Sequence, residues 1–392
     1  MKYLPLFCLL LLCFFSCKKK SGDAPTPVLD SPAYGFFPGA IGVNDLSTVF
    51  TNDGNIAISG TSVSGKILLL KLSQTGNQLL RKEITVAATP AYSGAKVYSL
   101  VQTTDNGYMM CGSAYGAGTS SDVFLLKLNS SGEFVWAKTY GGNMDDYGNM
   151  MIRTRDGNYL LCGFSYSYTT EPYDDIYLVK VNQDGDTLWT RSYAKHEQQT
   201  PFHLLETKNG DFVVSGTDEP TGDGRIIYLL RVDANGNKLW DNSIGPVDIS
   251  HWKWGYCSAE CSNGDLMVCG ETDSKVFLAR TDKSGNMLWE KTYTNPDSTY
   301  RCGMSMKIEG GNCLITGGSS EIIYSSQKCF LLKTDENGNE LFSKTFPGTG
   351  SINGMNLLVN SSGDNIITGY QFLSQNNENI FFTRTDANGN YK

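Results

Sequence analysis

A phrase of the form Asp-x-Asn-Gly-x-x-x-Trp recurs along this chain and constrains its fold more than any other feature. It is complete from Asp233 to Trp240. Its glycine returns after 56, 53, 51, 49, 53 and 51 residues, at Gly76, Gly132, Gly185, Gly236, Gly285, Gly338 and Gly389. Four residues after the first six of these glycines stands a large apolar residue: Leu80, Trp136, Trp189, Trp240, Trp289 or Phe342. The chain is therefore built from repeats.

A second series has the same period. A turn is followed by a short apolar segment that ends in glycine, at Gly60, Gly112, Gly163, Gly216, Gly270, Gly317 and Gly369. Repeats of this length, made of short strands and tight turns, are typical of β-propeller blades. The two series predict an all-β fold, a seven-bladed β-propeller of four-stranded antiparallel blades, over residues 33–392.

The third repeat shows how one blade is organised. Strands are expected over residues 148–154, 159–163, 176–182 and 187–193, and we call them the first to fourth strands of the blade. Asp156-Gly157 and Asp184-Gly185 join them in pairs, because glycine supplies the positive φ of a tight hairpin turn. The Asp-x-Asn-Gly phrase is then a hairpin turn, since no copy continues into the carboxylates of a calcium loop. The Trp is expected to be a wedge between blades.

The seventh repeat has no fourth strand after residue 386, which would leave an open sheet edge. Residues 36–42 match residues 239–245 in spacing, and this alignment puts Phe37 in the position of Trp240. We therefore expect residues 34–42 to form the outer strand of the seventh blade and to close the ring.

The first 17 residues predict export. Lys2 precedes an apolar run over residues 4–15, and the small Ser16 stands directly before Cys17. This is a secretory signal over residues 1–16, because the run is shorter than the roughly 20 residues that span a bilayer. Ser16-Cys17 resembles the lipobox of bacterial lipoproteins, which implies lipidation of Cys17 and a place in the cell envelope, at the outer membrane. An ordinary cleaved signal is the alternative. Residues 17–32 are expected to be a flexible tether.

Charge and cysteine content narrow the partners. The net charge is −8, and the only basic run, residues 18–20, lies in the expected tether, so nucleic acid is excluded as a partner.

Eight cysteines remain in the domain, and their disulfide state is open. Cys111, Cys162 and Cys269 share one repeat position that holds Ser or Thr in the other copies. A small buried filler is the expected role.

The connections between strands divide the propeller into two faces. The tight glycine turns lie on one, here called the turn face. The longer connections, second to third strand and fourth strand to the next blade, lie on the other, the loop face, where binding residues gather on rigid scaffolds. The ligand-binding candidates on the loop face are Asp248, His251, Trp252, Trp254, Tyr256, Tyr166, Tyr168, Tyr173, Tyr147, Tyr300 and Arg301. Aromatic rings there could stack on sugars or on apolar partner side chains, or they could only plug the central channel.

Catalytic signatures are missing from the sequence. It contains neither a Gly-x-Ser-x-Gly elbow nor a His-Glu-x-x-His motif nor a phosphate loop. With three histidines in the chain, a multi-histidine metal centre is not expected. We therefore expect no catalytic residues, no metal and no cofactor.

The pattern from Asp105 to Gly142, Asp-Asn-Gly-x-x-x-Cys-Gly followed by Leu-Lys-Leu-Asn-x-x-Gly-x-x-x-Trp-x-Lys-x-Tyr-Gly-Gly, resembles exported bacterial β-propeller lipoproteins. It is more distantly similar to the tryptophan-docking repeats of quinoprotein propellers, whose eight blades and quinone site have no counterpart here. We expect a membrane-tethered binding or scaffold module that recognises a glycan or an envelope protein through the loop face. The alternative is a carbohydrate-active lyase or hydrolase with its site at the channel mouth.

Overall fold

The structure, a computed structural model, describes residues 28–31, 34–38, 46–62, 65–86, 92–116, 120–169, 173–195, 198–219, 224–245, 252–294, 298, 300–321, 326–374 and 377–392. Within these ranges the chain forms 29 β-strands in seven antiparallel sheets, and none of these residues is in an α-helix. The predicted seven-bladed β-propeller is confirmed.

Six blades are each made of four consecutive strands, with the first strand innermost. Blade one is β3 (Ser47–Phe50), β4 (Ile56–Thr61), β5 (Ile67–Leu72) and β6 (Gln78–Ile84); blade two is β7 (Tyr92–Gln102), β8 (Tyr108–Gly116), β9 (Ser121–Leu128) and β10 (Phe134–Tyr140); blade three is β11 (Asp146–Arg153), β12 (Tyr159–Ser165), β13 (Asp175–Val181) and β14 (Thr187–Tyr193). Blade four is β15 (Gln199–Glu206), β16 (Phe212–Asp218), β17 (Ile226–Val232) and β18 (Lys238–Ile244); blade five is β19 (Lys253–Glu260), β20 (Leu266–Thr272), β21 (Lys275–Thr281) and β22 (Met287–Tyr293); blade six is β23 (Tyr300–Glu309), β24 (Asn312–Ser320), β25 (Lys328–Thr334) and β26 (Glu340–Phe346).

Blade seven combines the two ends of the propeller chain. Its strands are β27 (Ser351–Val359), β28 (Asn365–Ser374), β29 (Asn377–Thr385), β2 (Tyr34–Pro38) and β1 (Val28–Ser31). The sheet order is β1-β2-β29-β28-β27, and β2 runs antiparallel to β29. The prediction that an N-terminal strand closes the seventh blade is confirmed for Tyr34–Pro38, and residues 39–42 of the expected strand lie outside the described residues.

The repeated glycine and the repeated Trp pack against each other across blade boundaries. The ring of Trp240 in blade four covers Gly285, in the last turn of blade five. A Cβ atom on Gly285 would lie 2.7 Å from the Trp240 ring, and the residue has a φ of 81°. The same contact joins Trp136 to Gly185, Trp189 to Gly236, and Trp289 to Gly338. The glycine is therefore required both by its turn and by the preceding blade, and the Trp is the expected inter-blade wedge.

A second inter-blade contact surrounds the central channel. In each blade a small residue of the second strand precedes the repeated glycine. The contact is made by the first-strand residue that pairs with this small residue. The Ser47 hydroxyl accepts a 3.0 Å hydrogen bond from the Leu100 amide in blade two, and Ser99 accepts one of 3.0 Å from Met151 in blade three. Ser305 accepts a 3.1 Å hydrogen bond from Leu357 in the same way. At these three boundaries the innermost strand is therefore fixed to that of the next blade.

The register of the closing strand differs from the sequence alignment. Phe37 pairs with Ile380, as Ile244 pairs with Ile227, so Phe37 occupies the position of Ile244 and not that of Trp240. Phe37 is fully buried. The ring that lies against Gly76, where the Trp of a preceding blade would lie, belongs to Phe382 of β29.

The sequence alignment placed Phe37 wrongly because the two possible registers of the closing strand differ by four residues. An even shift leaves every side chain on the same face of the sheet, so alternation cannot distinguish them. In the structure Tyr391 pairs with Thr385 as Lys238 pairs with Val232. The C-terminal residues therefore fill the first positions of the fourth strand, and the N-terminal strand can occupy only the later ones.

The expected tether is also shorter than predicted at its C-terminal end. Val28–Ser31, within the range 17–32, form β1 and pair with β2. An unpaired outer edge of β2 would expose backbone donors and acceptors, and a preceding segment of chain can pair with them. Residues 1–27, which include the expected signal and Cys17, lie outside the described residues.

Candidate ligand-binding face

The innermost strands deliver the candidate residues to the loop face. β11, β19 and β23 each begin at this face, and their first residues include Tyr147, Trp254 and Tyr300. Tyr166 and Tyr168 follow the end of β12 in blade three. Asp248 and His251 lie outside the described residues. The structure therefore places the described candidates other than Arg301 on one face, distributed over blades three, five and six.

Three rings form an aromatic cluster at the boundary of blades four and five. Trp254 and Tyr256 of β19 are stacked, with ring centroids 6.1 Å apart and an interplanar angle of 12°. Phe202 of β15 meets the edge of Tyr256 at 5.3 Å and lies 6.3 Å from Trp254. Tyr256 lies at the register shift of β19 between Gly255 and Cys257, and its ring lies parallel to that of Trp254 on the same side of the strand. Burial raises the pKa of Tyr256 well above its usual value, which keeps its hydroxyl neutral.

Arg225 joins this cluster to an exposed tryptophan. Its guanidinium carbon lies 4.0 Å from the centroid of the Trp254 ring and 4.9 Å from that of Trp252. Glu219 Oε1 lies 2.6 Å from Arg225 Nε in an ion pair that holds the guanidinium in place. Trp252 is 47% exposed. The result is an aromatic surface whose orientation is fixed by cation–π contacts.

A second aromatic group lies on blade three. Tyr147 and Phe164 are stacked at 4.8 Å, and the ring of Tyr166 meets that of Phe164 edge-on at 6.3 Å. Tyr168 packs on Tyr177 at 5.1 Å and donates a 2.7 Å hydrogen bond to the Gly141 carbonyl. Its ring remains 46% exposed. This group therefore offers a second ring surface with a fixed orientation.

Two carboxyl groups on this face are held partly in their protonated form at neutral pH. Burial raises the pKa of Asp174 to about 7, and Glu219 and Asp175 add to the effect. Burial likewise raises the pKa of Glu271 to about 7, while Tyr300 donates a 3.0 Å hydrogen bond to its Oε2. Both groups can exchange a proton near neutral pH.

Asp145 and Asp146 have structural partners. The Asp145 carboxylate accepts a 2.7 Å hydrogen bond from the Ser121 amide. Asp146 is fully buried and accepts hydrogen bonds of 2.7 Å from the Gly142 amide and from the Ser167 hydroxyl. The two side chains therefore diverge and order the connections that carry the blade-three rings.

Arg301 is buried, with 1% of its surface exposed, and does not project from the loop face. Its guanidinium lies 3.9 Å from the centre of the Phe330 ring, and one nitrogen donates a 2.6 Å hydrogen bond to the Ser343 hydroxyl. Tyr173, by contrast, is 44% exposed.

Phe202, Arg225 and Glu219 were not anticipated from the sequence. Phe202 follows Pro201 at the register shift of β15, and Arg225 lies in the connection that approaches Trp254 only through the packing of blade four on blade five. No repeated phrase marks either of them. The one feature of the sequence that could have indicated Arg225 as a site residue is the length of the connection that contains it.

The described cysteines and histidine do not form a reactive centre. Cys111, Cys162, Cys257, Cys261, Cys269, Cys302, Cys313 and Cys329 are all unpaired and buried. His203 Nδ1 lies 3.1 Å from Ser258 Oγ, and burial together with Lys307 lowers the pKa of His203 to about 3. Within the described ranges there is no group of three or more His, Cys, Asp or Glu able to hold a metal ion. No helix in those ranges is long and apolar enough to cross a membrane.

Comparison with known proteins shows the fold alone. No protein-family model and no curated protein matches this sequence. The solved structure of YCF48 bound to D1 peptide is similar with a TM-score of 0.53 and 12% identity, over 94% of this chain and 100% of that one. The Neurospora crassa Pan2 WD40 domain has a TM-score of 0.53 and 11% identity, over 86% and 88%.

Puromycin hydrolase is also similar, with a TM-score of 0.51 and 12% identity. The alignment covers 86% of this chain and 52% of the hydrolase, so the chain spans about half the length of that enzyme. Propellers of this kind often serve binding or scaffolding, and none of these similarities assigns a specific function.

Proposed function

We propose that this chain is an extracytoplasmic binding module that recognises a glycan through its loop face. The observation that carries the proposal is the surface formed by Trp252, Arg225 and Trp254. Trp252 is 47% exposed although it is held in a fixed orientation. An exposed ring that is already ordered loses little conformational entropy when a sugar stacks on it.

The polar groups around the rings suit the same ligand. Glu219 and Glu271 supply carboxyl groups close to aromatic side chains, and Tyr300 supplies a hydroxyl. A sugar presents an apolar ring face and a rim of hydroxyls, so it can use rings and carboxyl groups together. An envelope protein is the other partner class, and it would use the same rings as apolar anchors.

Binding to a glycan array would test this proposal. We expect Trp252→Ala to weaken binding of the best ligand about tenfold, since one aromatic contact is worth on the order of 1 kcal/mol. Phe134→Ala is the matched control, because Phe134 is 43% exposed on β10, away from the loop face. Unchanged affinity of the Trp252 variant, or absence of any glycan ligand, would reject the glycan proposal. Crosslinking at Trp252 to an envelope protein would then support the other partner class.

A carbohydrate-active enzyme is the second candidate, and the pKa of Glu271, which burial raises to about 7, favours it. A protonated carboxyl beside a sugar can act as a general acid. A reducing-sugar assay on the bound glycan separates the two candidates. Turnover that is lost in Glu271→Gln while binding persists would support the enzyme, and binding without turnover supports the module.

We further propose that Cys17 carries a lipid and tethers the module to a membrane of the cell envelope. The support is the order of Lys2, the apolar run, Ser16 and Cys17 in the sequence. Growth with an alkyne-tagged fatty acid should label the wild-type protein and leave Cys17→Ala unlabelled. Equal labelling of both would contradict the assignment.

A further inference from the structure

One position of the repeat carries a buried polar residue in four consecutive blades. In each blade the repeated glycine near the end of the second strand pairs with one residue of the first strand. The position in question lies two residues before that first-strand residue. In blades three to six it is Asp146, Gln199, Lys253 and Arg301, which are 0, 0, 8 and 1% exposed. The side chain in blades five and six extends over a third-strand aromatic ring toward the fourth strand. Blades five and six therefore each bury a cation at an equivalent place.

In blade five this cation has a carboxylate partner. Lys253 Nζ lies 5.1 Å from the centre of the Phe277 ring and donates a 2.8 Å hydrogen bond to Glu290 Oε2. Glu290 directly follows the wedge residue Trp289 in the fourth strand. A buried charge is stable only when such a partner compensates it.

In blade six the carboxylate is missing. Phe330 takes the place of Phe277, and the residue after the wedge Phe342 is Ser343. Ser343 accepts one hydrogen bond from the guanidinium, but Arg301 Nε and Nη1 are buried and have no hydrogen-bond partner. Glu340 acts on Arg301 only through space, and burial lowers the pKa of the arginine to about 10.

The surroundings of Arg301 suit an anion. Ser319 pairs directly with Arg301 across β23 and β24, so its side chain lies on the same side of the sheet, and it too is buried. Two guanidinium N–H groups and the Ser319 and Ser343 hydroxyls can all donate hydrogen bonds. Serine is shorter than glutamate and carries no charge, so Ser343 supplies no carboxylate at the position where Glu290 supplies one in blade five.

We propose that blade six binds a small carboxylate-sized anion at Arg301, in the place where Glu290 supplies an internal carboxylate in blade five. The anion accepts a hydrogen bond from one of the two free donors, Nε or Nη1, and neutralises the buried charge. A free ion or the acidic group of a larger ligand could provide the same chemistry. This inference does not depend on the glycan proposal.

The test measures the melting temperature of the full chain at pH 7.5 while acetate or chloride is added. A bulky organic anion replaces the small one so that the ionic strength stays constant. The wild type should show a saturable rise in melting temperature, because a ligand that binds only the folded state stabilises it. Ser343→Glu supplies an internal carboxylate and should abolish the rise while it increases the melting temperature in the absence of acetate. Arg301→Met should also lose the rise.

A transplant in blade five provides the matched control. Glu290→Ser removes the partner of Lys253 and recreates the arrangement of blade six, so it should add a second saturable response. A Ser343→Glu protein that responds to acetate like the wild type would overturn the proposal, and so would a wild type without saturable response. Repeating the titration with the acidic and neutral forms of one sugar distinguishes a free ion from a ligand-borne carboxylate.

Discussion

Thr48 and Thr368 share a buried hydrogen bond of 2.6 Å although 320 residues separate them along the chain. Thr48 lies in the innermost strand of blade one and Thr368 in blade seven. Asn356 adds a 3.0 Å hydrogen bond from its side-chain nitrogen to the Leu46 carbonyl across the same boundary. The last blade is therefore joined to the first by hydrogen bonds between buried or partly buried polar groups. A ring closed in this way buries one continuous series of blade interfaces.

The closing strand should contribute a large part of the stability. Phe37→Ala removes a phenyl ring that is fully buried at the interface of blades seven and one. We expect a loss of about 3–5 kcal/mol in the free energy of unfolding. Denaturation in urea would measure it. Phe134→Ala, on an exposed outer strand, should change the value by less than about 0.5 kcal/mol. Equal midpoints for the two variants would mean that β2 does not close the ring.

The glycines of the two kinds of hairpin turn should differ in their tolerance of alanine: Gly285 belongs to the repeated phrase, whereas Gly210 lies in the turn between the first and second strands of blade four. Gly285 and Gly210 have similar φ values of 81° and 86°, but the Trp240 ring covers Gly285 and nothing lies within 4 Å of a Cβ on Gly210. Gly210→Ala should cost about 1 kcal/mol from backbone strain alone. Gly285→Ala should cost about 3 kcal/mol, because the Trp240 ring must also move. Similar melting temperatures would show that the ring contact carries no energy.

The buried cysteines should be slow to react. Burial raises the pKa of Cys302 to about 11 and that of Cys329 to about 12, so at neutral pH nearly all of each is the unreactive thiol. Alkylation with iodoacetamide followed by peptide mapping should label neither site in the native protein and both in guanidinium. Rapid native labelling would contradict the burial. A site that stays unlabelled in guanidinium until reductant is added would reveal a disulfide.

The sequence was sufficient for the blades because glycine and Trp make the same contact in successive repeats. Turn chemistry and a wedge residue are local properties, and each copy repeats the information. It was not sufficient for the register of Phe37, since a shift of four residues preserves alternation and both alignments place an apolar ring inside. What decides the register is Tyr391, which lies at the opposite end of the chain and fills the start of the same strand.

The candidate face was predictable in position but only partly in composition. Long connections mark the loop face, and Trp252, Trp254 and Tyr256 stand out by residue type. Arg225 does not, because its importance comes from the packing of blade four on blade five, which no local pattern records. Arg301 shows the opposite error. It was grouped with surface candidates because it borders a connection, although alternation along β23 directs its side chain into the blade interface.

The pH dependence of stability should report on Glu271. Its pKa is about 7 in the folded protein and ordinarily 4.5, so the folded state binds more protons than the unfolded state between these values. Stability therefore falls as the pH rises from about 4.5 through 7 and then levels off. Glu271→Gln keeps an acceptor for the Tyr300 hydroxyl but cannot ionise. The variant should match the wild type near pH 4.5 and exceed it by about 3 kcal/mol at pH 8. Urea denaturation across this range would measure the difference, and parallel pH profiles for the two proteins would show that Glu271 ionises normally.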